Sequence, residues 1–266
     1  MRPPRSTAAL FAALLLAAGP AGAADADTPE VRALGIDAPR RVLFVGNSYL
    51  YYGDSLHNHL RRMAIENDKA NEKAYGYKSI TISGGSLAQH DLAHYLKPNA
   101  LGVKQPFEVV VLQGHSAAAL SDKRSAAFVK AVTAANELIR ATGGRTALYM
   151  THAYTPAHKR YDPDMAQKTA QLYVETGNRV GALVIPVGLA FAEAYKRKPE
   201  LKLQKDYDGS HPDLIGTYLA ACVTYAALYG KSPVGNPYDY YGQIDKDTAA
   251  FLQQVAEDTV RAFYQR

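Results

Sequence analysis

The chain of 266 residues contains one cysteine, Cys222, and no tryptophan. A single thiol cannot close an intrachain disulfide, so nothing in the fold depends on oxidation even in an oxidising compartment. Cys222 falls within an apolar helical pattern and reads as a core residue. With no cysteine pair and no His-Glu-x-x-His pattern, the usual ligand spacing of a structural or catalytic zinc site is missing, and neither a metal nor another cofactor is expected. Long hydrophobic runs are also missing. The apolar stretch 8–18 is too short for a membrane span, which needs roughly 20 residues, and no later segment qualifies. Charge of one sign is not concentrated either: 30 Lys and Arg face 25 Asp and Glu. Basic residues cluster only at Arg40-Arg41 and Lys196-Arg197-Lys198, which suits solvated helix ends and does not support nucleic-acid binding.

The amino terminus has a pattern of its own. Met1-Arg2-Pro3-Pro4-Arg5 is basic, the apolar stretch follows, and Ala21-Gly22-Ala23 offers the small-x-small pattern of a signal-peptidase site. Residues 1–23 are therefore expected to be a removed export signal, 24–39 an irregular leader and 40–266 one domain of sufficient length for its own core. The product is expected in the periplasm or outside the cell. Removal of the signal takes away two of the 30 basic residues, Arg2 and Arg5, and leaves a mild balance of +3.

Five short apolar runs, 42–45, 79–82, 109–112, 146–150 and 182–187, are continuous rather than alternating, as strands buried on both faces require. Helical spacing separates or follows them at 54–68, 122–142, 164–179, 189–198, 212–229 and 248–264. Ser121 and Asp162, the latter before Pro163, are expected caps, and Gly230 closes the fifth of these helices. Strand and helix alternation of this kind predicts an α/β fold: a three-layer αβα sandwich around a five-stranded parallel sheet.

In such a sheet, ligands bind beyond the carboxyl ends of the strands. The residues there are Gly46-Asn47-Ser48, then Ser83-Gly84-Gly85-Ser86, then Gln113-Gly114-His115-Ser116, then Thr151-His152 and Gly188. Ser48 stands at a strand-to-helix turn, where free backbone N–H groups can face an anion, and this placement suits a nucleophile. A serine hydroxyl needs a base, and that base needs a partner to fix its tautomer. Asp208-x-x-His211 supplies both within one turn, and Pro212 places His211 at the mouth of a helix.

On these residues the chain resembles the SGNH hydrolases of the GDSL esterase and lipase superfamily, over nearly its whole mature length. Gly46-Asn47-Ser48-Tyr49 is similar to the family's first block and Asp208-Gly209-Ser210-His211-Pro212 to its last. The resemblance implies a flavodoxin-like fold, with Ser48 as nucleophile, His211 as base and Asp208 as its partner. It also implies an oxyanion hole of backbone N–H groups from Ser48 and Gly85. The third block departs from the family pattern, because Gln113-Gly114-His115-Ser116 lacks the expected Asn, and Gln113 or His115 must supply the side-chain donor. A Gln there is similar to carbohydrate-ester branches, which implies short acyl, chiefly acetyl, esters of carbohydrates or small molecules as substrates. An acyltransferase using the same residues and a non-catalytic glycan-binding module are the alternatives.

Other residues compete for these roles. Gly53-Asp54-Ser55-Leu56 spells the letters that name the superfamily, but it follows no strand and leads into a helical pattern, so Asp54 is expected as a cap and Ser55 in a first turn. His57 and His59 cannot share a helix face. His90 and His94, at i, i+4, lack a third metal ligand and read as a solvated helix face. His152 rivals His211 as a base, lacks a nearby carboxylate in sequence, and is expected to line the pocket. The 19 tyrosines include Tyr49, Tyr51, Tyr52, Tyr154, Tyr238, Tyr240 and Tyr241 near loop ends, where they suit a rim for sugar or aryl groups.

Overall fold

The structure, a computed structural model, describes Met1 and residues 28–266; the expected export signal, 1–23, otherwise lies outside the described residues. Residues 28–40 form no helix or strand. Five strands follow: β1 Arg41–Gly46, β2 Gly76–Thr81, β3 Val109–Leu112, β4 Arg145–Tyr149 and β5 Leu183–Ile185. All pair in parallel, in the order β2-β1-β3-β4-β5. The helices are α1 Ser48–Tyr51, α2 Leu56–Glu66, α3 Leu92–Tyr95, α4 Asp122–Ala141, α5 Met165–Val180, α6 Val187–Arg197, α7 Leu214–Tyr229 and α8 Lys246–Tyr264.

The unbroken apolar runs have a direct cause. Val42 and Phe44 pack into one core with residues of α2, α6, α7 and α8, while Leu43 and Val45 pack into a second with residues of α4 and α5. Val109 and Val111 join the first core and Val110 and Leu112 the second. Successive side chains point to opposite faces, and both faces are covered, so neither can be polar. This is the expected three-layer αβα sandwich. Helix α7 is buried along almost its whole length, including Cys222, which accounts for a sequence without a single charge from Leu214 to Tyr229. No helix among the described residues is long and apolar enough to cross a membrane.

Several boundaries differ from expectation, mostly because side chains are engaged elsewhere. Asp162 does not cap α5: one carboxylate oxygen accepts from the Asp164 N–H and the other pairs with Lys168, and the helix begins at Met165. Ser121 occupies its cap position without a side-chain bond. Pro212 is held in a bridge with Gln204, so α7 starts two residues later, capped by Asp213. The fifth strand ends at Ile185, and Val187 already belongs to α6.

Candidate active site

The sheet order reverses between β1 and β3, whose neighbours lead away in opposite directions, and this opens a crevice at the carboxyl edge. Asn47 leaves β1 there. Its backbone is extended (φ −136°, ψ −154°), its side-chain oxygen Oδ1 caps α1 by accepting the Tyr49 N–H, and its side-chain amide nitrogen donates to the Gly85 carbonyl at 3.0 Å. Ser48 is thereby fixed as the first residue of α1, with its N–H at a helix start that lacks an intrahelical acceptor.

The structure brings Ser48, His211 and Asp208 into one line. His211 Nε2 lies 2.8 Å from Ser48 Oγ, and Nδ1 lies 2.6 Å from Asp208 Oδ2. The carboxylate can only accept, so the ring proton sits on Nδ1 and Nε2 is left to accept from the serine hydroxyl. The other oxygen, Asp208 Oδ1, accepts the N–H groups of Ser210 and His211 at 2.8 and 3.0 Å. Burial of the Asp208 carboxyl opposes ionisation, but the bonds from the His211 ring and from these two amides outweigh it and hold the group below the ordinary carboxylate range. Ser48 is 5% exposed, whereas the His211 and Asp208 side chains are about a quarter exposed.

Long-range contacts hold the 208–211 turn. Gln204 Nε2 donates to the Gly209 and Ala153 carbonyls, the Thr155 N–H donates to Gly209, and the Lys205 N–H donates to the His211 carbonyl. His152 is completely buried, between Tyr49 (ring centroids 4.4 Å apart) and Phe191 (4.2 Å), and its Nε2–H donates to the Ser210 carbonyl at 2.8 Å. It neither lines a pocket, as the sequence suggested, nor can it serve as the base, because its Nε2 is engaged and its ring is sealed from solvent. Burial pushes its pKa down to about 4 and keeps it neutral.

The sequence-nominated oxyanion donors fare differently. The Gly85 N–H donates to the Ile82 carbonyl at 2.9 Å and is engaged in its own turn. Gln113 is 1% exposed; its Oε1 accepts the Asn47 N–H at 2.9 Å and its Nε2 donates to the neighbouring Gly114 carbonyl. It braces the turn that carries Ser48. His115 accepts the Ala117 N–H on Nδ1, which puts the ring proton on Nε2, a donor with no acceptor among the described residues. Burial and, after it, the fields of Arg124 and Arg160 lower its pKa, so it stays neutral.

The remaining candidates are reassigned. His90 lies outside α3 and its Nε2 bonds to the Gly46 carbonyl at 2.9 Å, so it steadies β1 beside Ser48 instead of facing solvent with His94. Asp54 and Ser55 both have positive φ, 71° and 66°; Asp54 sits before the helix in a tight turn and Ser55 precedes α2 without capping it. Tyr49, Tyr154 and Tyr238 are buried, and of the expected rim Tyr51, Tyr52, Tyr240 and Tyr241 keep exposed surface. Sequence reasoning missed Gln204 and the supporting roles of His90 and His152, since each acts through a partner more than 40 positions away or through a backbone carbonyl that leaves no residue-type signal. Among the described residues no group of three or more His, Cys, Asp or Glu could hold a metal ion.

No family model matches the chain, and no curated protein does. Solved structures do match. A DUF4886 family protein from Bacteroides uniformis superposes with a TM-score of 0.59 at 19% identity, over 82% of this chain and 93% of that one. A candidate SGNH hydrolase from Slackia heliotrinireducens gives 0.56 at 21% identity, over 71% and 98%. The acetyl xylan esterase AlAXEase gives 0.53 at 20% identity, over 70% and 98%. The chain has the SGNH hydrolase fold. In that SGNH fold, the strand order and the helices on both faces are those described above, and the Ser48 crevice lies at its carboxyl edge.

Proposed function

We propose that the chain is an exported serine esterase that hydrolyses short-chain, chiefly acetyl, esters of carbohydrates or small molecules by acyl transfer through Ser48. The observation that carries this reading is the unbroken hydrogen-bonded line from Ser48 Oγ through the His211 ring to the Asp208 carboxylate. His211 Nε2 takes the serine proton as Oγ attacks the ester carbonyl, and ionised Asp208 stabilises the imidazolium that results. The same proton then goes to the leaving alcohol. Water, deprotonated by His211, releases the acid from the acyl-enzyme. The oxyanion falls to the Ser48 N–H and to the His115 Nε2–H, which is the one nominated side-chain donor not already engaged; such a donor is worth roughly 3 kcal/mol in related hydrolases.

A short acyl group is supported by a cavity of about 210 Å³ lined by Ser86, Leu87, Gly114, His115 and Phe128. Its walls adjoin Gly85 and Gln113, two of the residues that hydrogen-bond to Asn47. A larger cavity of about 440 Å³ lies beyond the His211 turn, against Phe191, Tyr195 and Gln204; neither Ser48 nor His211 lines either cavity. In this reading the smaller one is the acyl site, because His115, the proposed oxyanion donor, lines it and does not line the larger one. Support for carbohydrate substrates comes from the acetyl xylan esterase among the structural neighbours, and support for export from the basic, apolar and small-residue order of 1–23.

Expression of the full chain, followed by assay of the exported fraction on nitrophenyl acetate, tests the proposal. Mass spectrometry should find a product starting at Ala24, Ser48→Ala should lose roughly 10⁴-fold or more in kcat, and Ser55→Ala should stay within a few fold of the parent. Loss at Ser55 with retention at Ser48 would overturn the assignment.

A further inference from the structure

The Gly53-Asp54-Ser55 turn has no place in the chemistry above, yet it is built with unusual care. Three consecutive residues take left-handed backbone angles, φ 61°, 71° and 66°, and two of them are not glycine. Such conformations persist only when the surroundings impose them. Here three side chains from two helices do so. Thr217 of α7 donates its hydroxyl to the Tyr52 carbonyl at 3.1 Å; His59 and Asn58 of α2 donate to the Gly53 and Asp54 carbonyls at 2.7 and 3.1 Å. Gly53 must be glycine twice over, because a Cβ would run into the Thr217 hydroxyl. His59 is itself fully buried, stacks on Tyr240, and on Nδ1 accepts from Tyr238, so its donor is fixed on the Gly53 side.

The residue this turn presents is Tyr52. Its ring lies over the His211 imidazole, with centroids 4.1 Å apart and planes 21° from parallel. We infer that the 53–55 turn is a clamp that presses the Tyr52 ring on the open face of His211, making Tyr52 a positioning residue that keeps Nε2 aimed at Ser48 and favours the imidazolium formed during acyl transfer. An aromatic face attracts a cation placed over it, and a ring held in one rotamer raises the fraction of base in the reactive geometry. Asp208 in the same turn, Tyr49 on α1, His152 after β4 and His158 in the following loop are the other ionisable groups around His211, and Tyr207 meets the Tyr52 hydroxyl. The inference rests on His211 acting as the base.

The test compares Tyr52→Ala, Tyr52→Phe and Thr217→Val on nitrophenyl acetate. Tyr52→Ala should lower kcat about tenfold with little change in KM and move the acid limb of the kcat/KM profile to lower pH. Tyr52→Phe should restore kcat to within threefold, and Thr217→Val should fall between. An unchanged kcat and pH profile in Tyr52→Ala, or a Tyr52→Phe variant as impaired as Tyr52→Ala, would overturn the clamp. Nitrogen-15 titration of the His211 ring in the same variants requires no turnover: a ring that stays ordered and titrates identically without Tyr52 also overturns it. Failure of the esterase reading shows separately, as an inactive parent that a serine-reactive phosphonate does not label.

Discussion

Gln113 illustrates how one side chain can be taken for a reactant when it is a brace. Its carbonyl oxygen accepts the Asn47 N–H and its amide donates to Gly114, so both ends of the group are in use. Replacing it by Met would leave a buried N–H without an acceptor, at a cost of about 1–3 kcal/mol. Gln113→Met is thus expected to lower the urea midpoint while kcat on nitrophenyl acetate stays within about tenfold. Loss of 10²-fold or more in kcat with stability intact would instead mark an oxyanion donor. Whether a polar residue at a strand end is free or engaged depends on contacts across 66 positions, which sequence position alone does not carry. The grouping of Asp208 with His211 was legible for the opposite reason: three residues apart in one turn, they can meet without help from the rest of the fold.

At the scale of elements, the segment from Leu203 to Leu214 carries the base and is anchored to α7 at its start. The Leu203 carbonyl accepts the Asp213 N–H at 2.8 Å, and the same carbonyl sits where a Cβ on Gly216 would have to be. Gly216→Ala must push α7 away from that carbonyl. The expected result is a loss of about 1–3 kcal/mol in urea unfolding, as for other overpacked sites, together with a reduced kcat because the 208–211 turn shifts with its anchor. Retention of both would show that the segment is not held there. The strands and long helices were readable from sequence because burial on both faces forces continuous apolar runs and one-sided burial forces a helical stripe. The short pieces were not. Helix α1 spans only Ser48–Tyr51, and the turn after it depends on donors from α2 and α7 that no local pattern announces.

Taken as a whole, the molecule buries neutral histidines next to its candidate active site, and this ties global stability to pH. His152 is completely buried and its pKa is pushed down to about 4 from an ordinary 6.5, chiefly by burial. Between those values the unfolded chain binds a proton that the folded chain does not, so acidification favours unfolding. One such group contributes about 1.4 kcal/mol per pH unit, or about 3 kcal/mol across the window. His59 and His57 are lowered in the same direction, mainly by burial, and add to the slope just below pH 6.5. The unfolding free energy from urea titrations should therefore fall steadily from pH 7 to pH 4, and His152→Phe should flatten the curve even though it loses the bond to Ser210. The opposite sign, a rise in stability on acidification, would require His152 to be charged in the folded state. Below pH 4 a second loss is expected as Asp208 and Asp213, both held under the ordinary carboxylate range, take up protons. That stage also removes the partner of His211, so whatever activity the acid limb has left should be lost there together with the fold.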